Sequence, residues 1–567
     1  MTLVSEILAR RMRLIAAETT DVRRDRDLPA EMDDGVILLA DRWVARERAR
    51  RPAPTVLVRA PYGRGSFVGL MFGRLLAERG LQVVVQSVRG TFGSGGRFSP
   101  FDERADGLAT LRWLREQPWH EGRVGMFGPS YLGFVQWAVA AEAGDDLAAL
   151  TVQVSASQFY DQTYTGGSIS LENTASWMTV LAVQEGRWGP LAIERAVRRL
   201  PPLLTELPLG ELDVRATGAE VDWFREALAT PGRAGGYWSA RDYSAGVPNV
   251  TAPVQFVGGW YDILLPWMLD DFAALQAAGR RPQLTIGPWS HTSPGLAARG
   301  HRDGIAWLRA HLLDDDRLLR PSPVRILVTG EREGGGWRDL ETWPPPGTQE
   351  RRLWLGAGGR LSEESAREDG DVTRYRYDPA DPTPAVGGPV LLARKPVLDN
   401  RALESRADVV TFTTEPISAT VEAVGGVSVD LWVRSQAASF DIFARVCDVD
   451  AEGGSWNVCD GLARVAPDTG PGNGTREGDG TTAVRVSLWP MGHRFAAGHR
   501  IRLQVSSGAH PRYARNPGTG DDPATATELR AVDIELVHDR EHPSALRLPS
   551  ASVTAAGGRV AAAAATV

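Results

Sequence analysis

The sequence predicts a three-part α/β protein: a parallel-sheet core, a helical segment inserted into it, and a C-terminal antiparallel β domain. Three observations carry this. Short apolar strands alternate with helices over the first third of the chain and again from residue 246. Between 159 and 245, helical patterns follow one another with no Val-rich strand among them. After about 350, helical spacing gives way to alternating apolar and polar residues broken by Gly, Pro and Asp. A chain of 567 residues is long enough for such a division.

The N-terminal stretch places Leu3, Ile7, Leu8, Met12 and Ile15 among Arg10, Arg11 and Arg13. It predicts an amphipathic helix packed on the body, and the arginines argue against a secretory leader. Residues 35–43 (GVILLADRW) and 55–62 (TVLVRAPY) predict strands, 67–80 a helix, and 81–90 (LQVVVQSVRG) a strand. A helix over 103–117, a strand over 123–128 (RVGMFG) and a helix over 131–143 complete the first run. Strands this short and apolar belong in a parallel sheet covered on both faces. In the insert, LENTASWMTVLAVQE, PLAIERAVRRL and EVDWFREALA predict helices separated by Pro and Gly. The rhythm then resumes: strands over 253–260, 283–289 and 324–330, with helices over 266–279 and 304–313 between them. VSVDLWVRS, FDIFARVCDVD, TAVRVSLWP and HRIRLQVSS alternate as a sandwich or jelly roll does. The predicted division is 1–158 and 246–349 for the core, 159–245 for the helical cap and 350–553 for the β domain. Residues 468–480 predict a mobile loop, and 554–567 a disordered low-complexity tail.

Composition narrows the function. The 63 basic and 70 acidic side chains leave a net charge of −7, so no nucleic-acid partner is expected. No stretch is apolar enough to span a bilayer, so neither is a membrane partner, and a cytoplasmic location follows as the expectation. A homodimer is compatible with the sequence. Cys447 and Cys459 make no disulfide framework and no CxxC pair, and predict two reduced thiols. Asp448, Asp450 and Glu452 before Gly453 faintly resemble a calcium loop, but Cys459 stands where the closing Glu belongs; a hairpin turn is the better reading. No phosphate-binding or dinucleotide fingerprint is present, so neither metal nor organic cofactor is expected.

The chemistry is carried by Gly128-Pro129-Ser130-Tyr131-Leu132-Gly133, between a strand and a helix. A nucleophile elbow needs small neighbours on either side of a serine held in a strained turn. Here the second glycine comes three residues after the serine, where the usual pattern has two. The Tyr131 backbone N–H then faces a developing oxyanion. Alone, Ser130 is as well explained as a helix cap. Two further segments change the weighting. Asp262 follows the strand ending Gly258-Gly259-Trp260-Tyr261, and His291 follows the next strand through Gly287-Pro288-Trp289-Ser290. The chain order Ser, Asp, His is that of α/β-hydrolase triads. The serine needs an imidazole to take its proton, and the imidazole needs a carboxylate to fix its tautomer.

With these residues the sequence resembles the cocaine esterase / X-prolyl dipeptidyl-peptidase family of serine hydrolases. The similarity lies in MDDGVILLADRW, VRAPYGRG, VRGTFGSGGRF, GMFGPSYLG, GGWYD, GPWSH, YDPADPTPAVGG, GHRIRLQVSSGAHPRYARN and EHPSALRLP, which run from about residue 30 to 550. The G-x-S-Y-x-G elbow is that family's variant. The resemblance implies Ser130 as nucleophile, His291 as general base and acid, and Asp262 as orienting carboxylate. It implies an oxyanion hole from the Tyr62 hydroxyl and the Tyr131 N–H, and an architecture of hydrolase core, helical cap and jelly roll.

The chain also departs from its relatives. Members that hydrolyse α-amino acid esters carry acidic residues just after the catalytic Asp; here Asp262 is followed by Ile263, Leu264, Leu265 and Pro266. Cocaine esterase carries an aromatic there. The expected acyl pocket is apolar: Tyr164, Trp260, Tyr261, Leu264, Leu391 and Leu392. The expected substrate is a small carboxylic ester with a bulky, uncharged acyl group. Rival expectations are an amidase or aminopeptidase drawing a carboxylate from Asp161, Glu172 or Glu185, an acyltransferase of natural-product metabolism, and a non-catalytic binding protein on the same scaffold.

Overall fold

A computed structural model describes residues 2–186, 189–330, 336–365, 371–392, 395–466, 473–476 and 478–551. The expected tail, 554–567, and residues 468–472 and 477 of the expected loop lie outside them, and Asn473–Arg476 forms a strand beside Thr482–Phe495.

The strands in chain order are β1 (Val22–Glu31), β2 (Ile37–Ala45), β3 (Ala53–Ala60), β4 (Gln82–Ser87), β5 (His120–Pro129), β6 (Leu147–Gln153), β7 (Tyr164–Thr165), β8 (Ser168–Ile169), β9 (Val254–Tyr261) and β10 (Gln283–Ser290). β1 pairs antiparallel with β2, and β2 antiparallel with β4. From β4 the neighbours β3, β5, β6 and β9 are all parallel, and β10 lies beside β9. The order is therefore 1-2-4-3-5-6-9-10. The buried runs are apolar where the sheet is covered on both faces: every residue of β4 and of β9 is buried.

The chain divides into two units. The first holds Met1–Thr163, Glu172–Leu284 and Trp289–Pro321. Its cap helices Leu171–Val183, Gly189–Leu203, Leu212–Thr217 and Asp222–Ala229 fall in the segment expected to be helical. The N-terminal helix, Thr2–Arg11, packs differently from the expectation: Ser5 bonds to the buried Glu78 and Met12 is buried, but Leu3 and Ile7 stand in solvent.

The second unit holds Ser322–Val567 and two short pieces, Tyr164–Leu171 and Thr285–Pro288. Two antiparallel sets dominate it. Thr348–Gly356, Ala545–Ala551, Val421–Arg434 and Thr482–Phe495 are neighbours in that order. Ser455–Val465, Phe440–Val449, Arg500–Ser506 and Val410–Thr413 form the other. Val421–Arg434 alternates buried and half-exposed residues along its second half, as a sandwich strand should. The unit begins at Ser322, where the sequence placed the change near 350. Val324–Gly330 looks like one more core strand, but Thr329 pairs with His493 in Thr482–Phe495. The hairpin β7–β8 also leaves the cap: Arg464 N–H donates to Gly166 O (2.7 Å) and Ala514 N–H to Ile169 O (2.8 Å). Gly166 has φ 58°, and a Cβ there would lie 1.8 Å from Leu462 O, so the docked turn admits glycine alone. The Asp450 segment is the expected hairpin turn: its carboxylate accepts from Gly454 N–H (2.7 Å) and Trp456 Nε1–H (2.8 Å). Cys447 and Cys459 are free and buried, and burial pushes the Cys447 thiol up to about 12.

Candidate active site

Ser130 sits between β5 and the helix Tyr131–Ala143, with φ 56° and ψ −124°. An L residue holds such a conformation only where its surroundings impose it. The restraints are backbone ones: Ser130 N–H donates to Gln153 O of β6 (2.8 Å), and Ser130 O accepts from Gly133 and Phe134 N–H (2.8 and 3.0 Å). A Cβ on Gly128 would lie 2.3 Å from Leu132 Cβ, and one on Gly133 would lie 2.5 Å from Ser155 Cβ. This explains the displaced glycine. Leu132 is accommodated because Gly128 faces it, and position 133 is the one pressed against the segment after β6.

β5 and β9 run parallel through β6, so Ser130 and Asp262 leave the sheet at the same edge. His291 follows β10 and bonds to Asp262: Nδ1 to Oδ2 is 2.6 Å. Asp262 Oδ1 accepts from Leu264 N–H (2.9 Å). Asp262 is fully buried and His291 nearly so. An ionised Asp262 takes the Nδ1 proton's hydrogen bond and leaves Nε2 as the basic nitrogen. Among the described residues the Ser130 hydroxyl makes no hydrogen bond to His291. Bonds of this kind commonly tighten only with substrate in place.

Tyr62 lies two residues beyond β3, half-buried, and its oxygen accepts from Trp177 Nε1–H (3.0 Å). Burial pushes its pKa up to about 12 against that hydrogen bond, so it is a protonated donor at neutral pH. Tyr131 is anchored by its side chain. Its hydroxyl donates to Glu103 Oε1 (2.6 Å) and accepts from Phe101 N–H (3.0 Å). Glu103 in turn faces Arg59 at 2.9 Å; burial raises its pKa and Arg59 opposes the rise. The Tyr131 backbone N–H, in the first helical turn, has no acceptor within its helix.

The expected pocket residues divide between the two units. Trp260 and Tyr261 end β9 beside Asp262, both buried. Leu264 has no exposed surface, and its backbone N–H serves Asp262. Tyr164, Leu391 and Leu392 belong to the second unit, with Leu392 exposed. Sequence reasoning did not single out Trp177, Gln184, Glu103 or Arg59. Trp177 and Gln184 stand seven apart in a helical pattern, which places them on one face, but nothing in the sequence says what that face meets.

Residues 34–293 match X-Pro dipeptidyl-peptidase (S15 family), and 319–547 match the X-Pro dipeptidyl-peptidase C-terminal non-catalytic domain. Cocaine esterase of Rhodococcus sp. (strain MB1 Bresler) is 30% identical over 565 residues, covering 91% of this chain and 97% of that protein. A solved α-amino acid ester hydrolase superposes with a TM-score of 0.78 at 21% identity, over 95% of this chain and 98% of the other. An aminopeptidase from a marine sediment Thaumarchaeota archaeon gives 0.77 at 20% identity, over 94% and 96%. The two structures speak for the fold alone. With the esterase matched along its whole length and both halves of the chain matched in order, the chain belongs to the cocaine esterase / X-prolyl dipeptidyl-peptidase family of serine hydrolases.

Proposed function

We propose that the protein is an esterase cleaving carboxylic esters with a bulky, mostly apolar acyl group through an acyl-enzyme on Ser130. The observation that carries this is the 2.6 Å Asp262–His291 bond at the sheet edge where the strained Ser130 turn emerges. His291 Nε2 takes the Ser130 proton as Oγ attacks the ester carbonyl. The carbonyl oxygen becomes an oxyanion facing the Tyr62 hydroxyl and the Tyr131 N–H. Collapse expels the alcohol, which receives the proton from His291. Water, activated by the same imidazole, then releases the acid and frees Ser130.

Two of the three acidic candidates, and the residues after Asp262, speak against an amine-bearing substrate. Asp161 is paired with Arg233 at 3.0 Å and bonded by Gln158, and Glu185 is exposed. No carboxylate follows Asp262 in 263–266.

The test is intact mass after fluorophosphonate treatment of wild type and Ser130→Ala, followed by a p-nitrophenyl ester series of increasing acyl size with matched α-amino esters. One adduct, absent in Ser130→Ala, with preference for the uncharged bulky ester, is expected. An adduct surviving in Ser130→Ala removes the nucleophile assignment. Preference for the α-amino ester removes the substrate assignment.

A further inference from the structure

The cap helix Leu171–Val183 and the residue just past it reach the Tyr62 loop at two points. Trp177 Nε1–H donates to the Tyr62 oxygen (3.0 Å), and Gln184 Nε2–H donates to the Pro61 carbonyl (2.9 Å). About two helical turns separate the two residues, so Gln184 continues the line of the helix face that carries Trp177. The direction of the Trp177 bond is fixed by chemistry, because an indole N–H donates and never accepts. Tyr62 therefore receives at this contact and keeps its single proton for another partner. Among the described residues no acceptor takes that proton. The same indole stacks on Tyr131 (5.9 Å, 28°) and on Phe101 (5.4 Å, 24°). One side chain thus lies against both residues assigned to the oxyanion.

We propose that Trp177 is a positioning residue that aims the Tyr62 proton at the oxyanion, so that the cap helix completes the oxyanion hole. This rests on the Ser130 esterase reading above. Receiving a hydrogen bond on its oxygen also polarises the Tyr62 O–H and makes it a stronger donor. The proton stays on Tyr62 throughout.

A packing role and a positioning role separate when the N–H is removed and the ring kept. Two variants do this: Trp177→Phe, and replacement of Trp177 by 3-benzothienylalanine, which preserves the bicyclic shape. Each is compared with wild type and combined with Tyr62→Phe. Loss of one neutral hydrogen bond should lower kcat roughly 3- to 10-fold with KM within about twofold. Tyr62→Phe should lower kcat roughly 100- to 1,000-fold, and adding either Trp177 change to it should cost nothing further. Two results overturn the proposal while leaving the esterase reading intact: an unchanged kcat for the benzothienyl variant, or the same factor lost in the Tyr62→Phe background. A Tyr62→Phe enzyme at the wild-type rate overturns the oxyanion role of Tyr62 itself, and this proposal with it.

Discussion

Glu103 in the first unit and Asp460 in the second are buried alike, at 3% and 1% exposure, yet their charges behave oppositely. Glu103 has one arginine, Arg59 at 2.9 Å. Asp460 has two, Arg512 at 2.6 Å and Arg445 at 2.9 Å. Burial wins at Glu103 and raises its pKa; at Asp460 the two guanidiniums win and lower it. The number of partners, rather than depth, sets the sign. Asp271 extends the contrast. It is buried in the first unit, bonded by the Ser157 N–H and hydroxyl, and pushed up to about 8. Asp460 is closed into a network by its two guanidiniums, while Glu103 and Asp271, in the unit carrying the Ser130 turn, stay undercompensated, which is where chemistry is usually found.

The largest effect should come from the first unit alone. On the proposed mechanism Ser130→Ala lowers kcat by roughly 10⁵- to 10⁶-fold while the thermal midpoint holds; steady-state ester hydrolysis and calorimetry check both. A variant retaining a tenth of the activity would place the chemistry elsewhere. Next, Asp460→Asn should destabilise by about 3–5 kcal/mol, because it strands two buried guanidiniums. Glu103→Gln, which strands one and keeps an acceptor for Tyr131, should cost about 1–3 kcal/mol, read by urea unfolding. The reverse ranking would break the comparison. A further effect is in pH. The raised pKa of Asp271 means the native state holds a proton that the unfolded chain gives up near its ordinary value of 3.8. Its contribution to stability is full below that value and is lost as pH rises to about 8. Asp460, depressed, contributes in the opposite sense: its share is present above the ordinary carboxylate range and disappears as acid is added. Thermal midpoints from pH 4 to 9 should therefore fall less steeply in Asp271→Asn than in wild type, and parallel curves would refute the Asp271 assignment.

The elbow, Asp262 and His291 were legible because each is announced locally, by a glycine-flanked serine or by a residue closing an apolar strand. β1 was not: VRRDRDLPAE is a charged strand, half-exposed beside β2, and has no apolar alternation to read. β6, LAALTVQ, is short and apolar, but it lies between a long apolar helix and the helical insert and does not stand apart from them. The unit boundary was misplaced because Val324–Gly330 has the composition of a core strand, and composition does not choose between partners. Trp177 was hidden for a similar reason: its meaning lies in a bond across 115 residues of sequence.

The hairpin β7–β8 makes the chain wait for itself. Its Ser168 bonds to Arg464 and Ala514, which come 296 and 346 residues later. At ribosomal rates of roughly 5–20 residues per second, that is a delay of about 15–70 s between the emergence of the hairpin and that of its partners. An N-terminal half released early, or stalled before Ala514, would present the Gly166-Gly167 turn as an unpaired strand edge. This protein's second unit is thus needed to finish a piece of chain translated long before it.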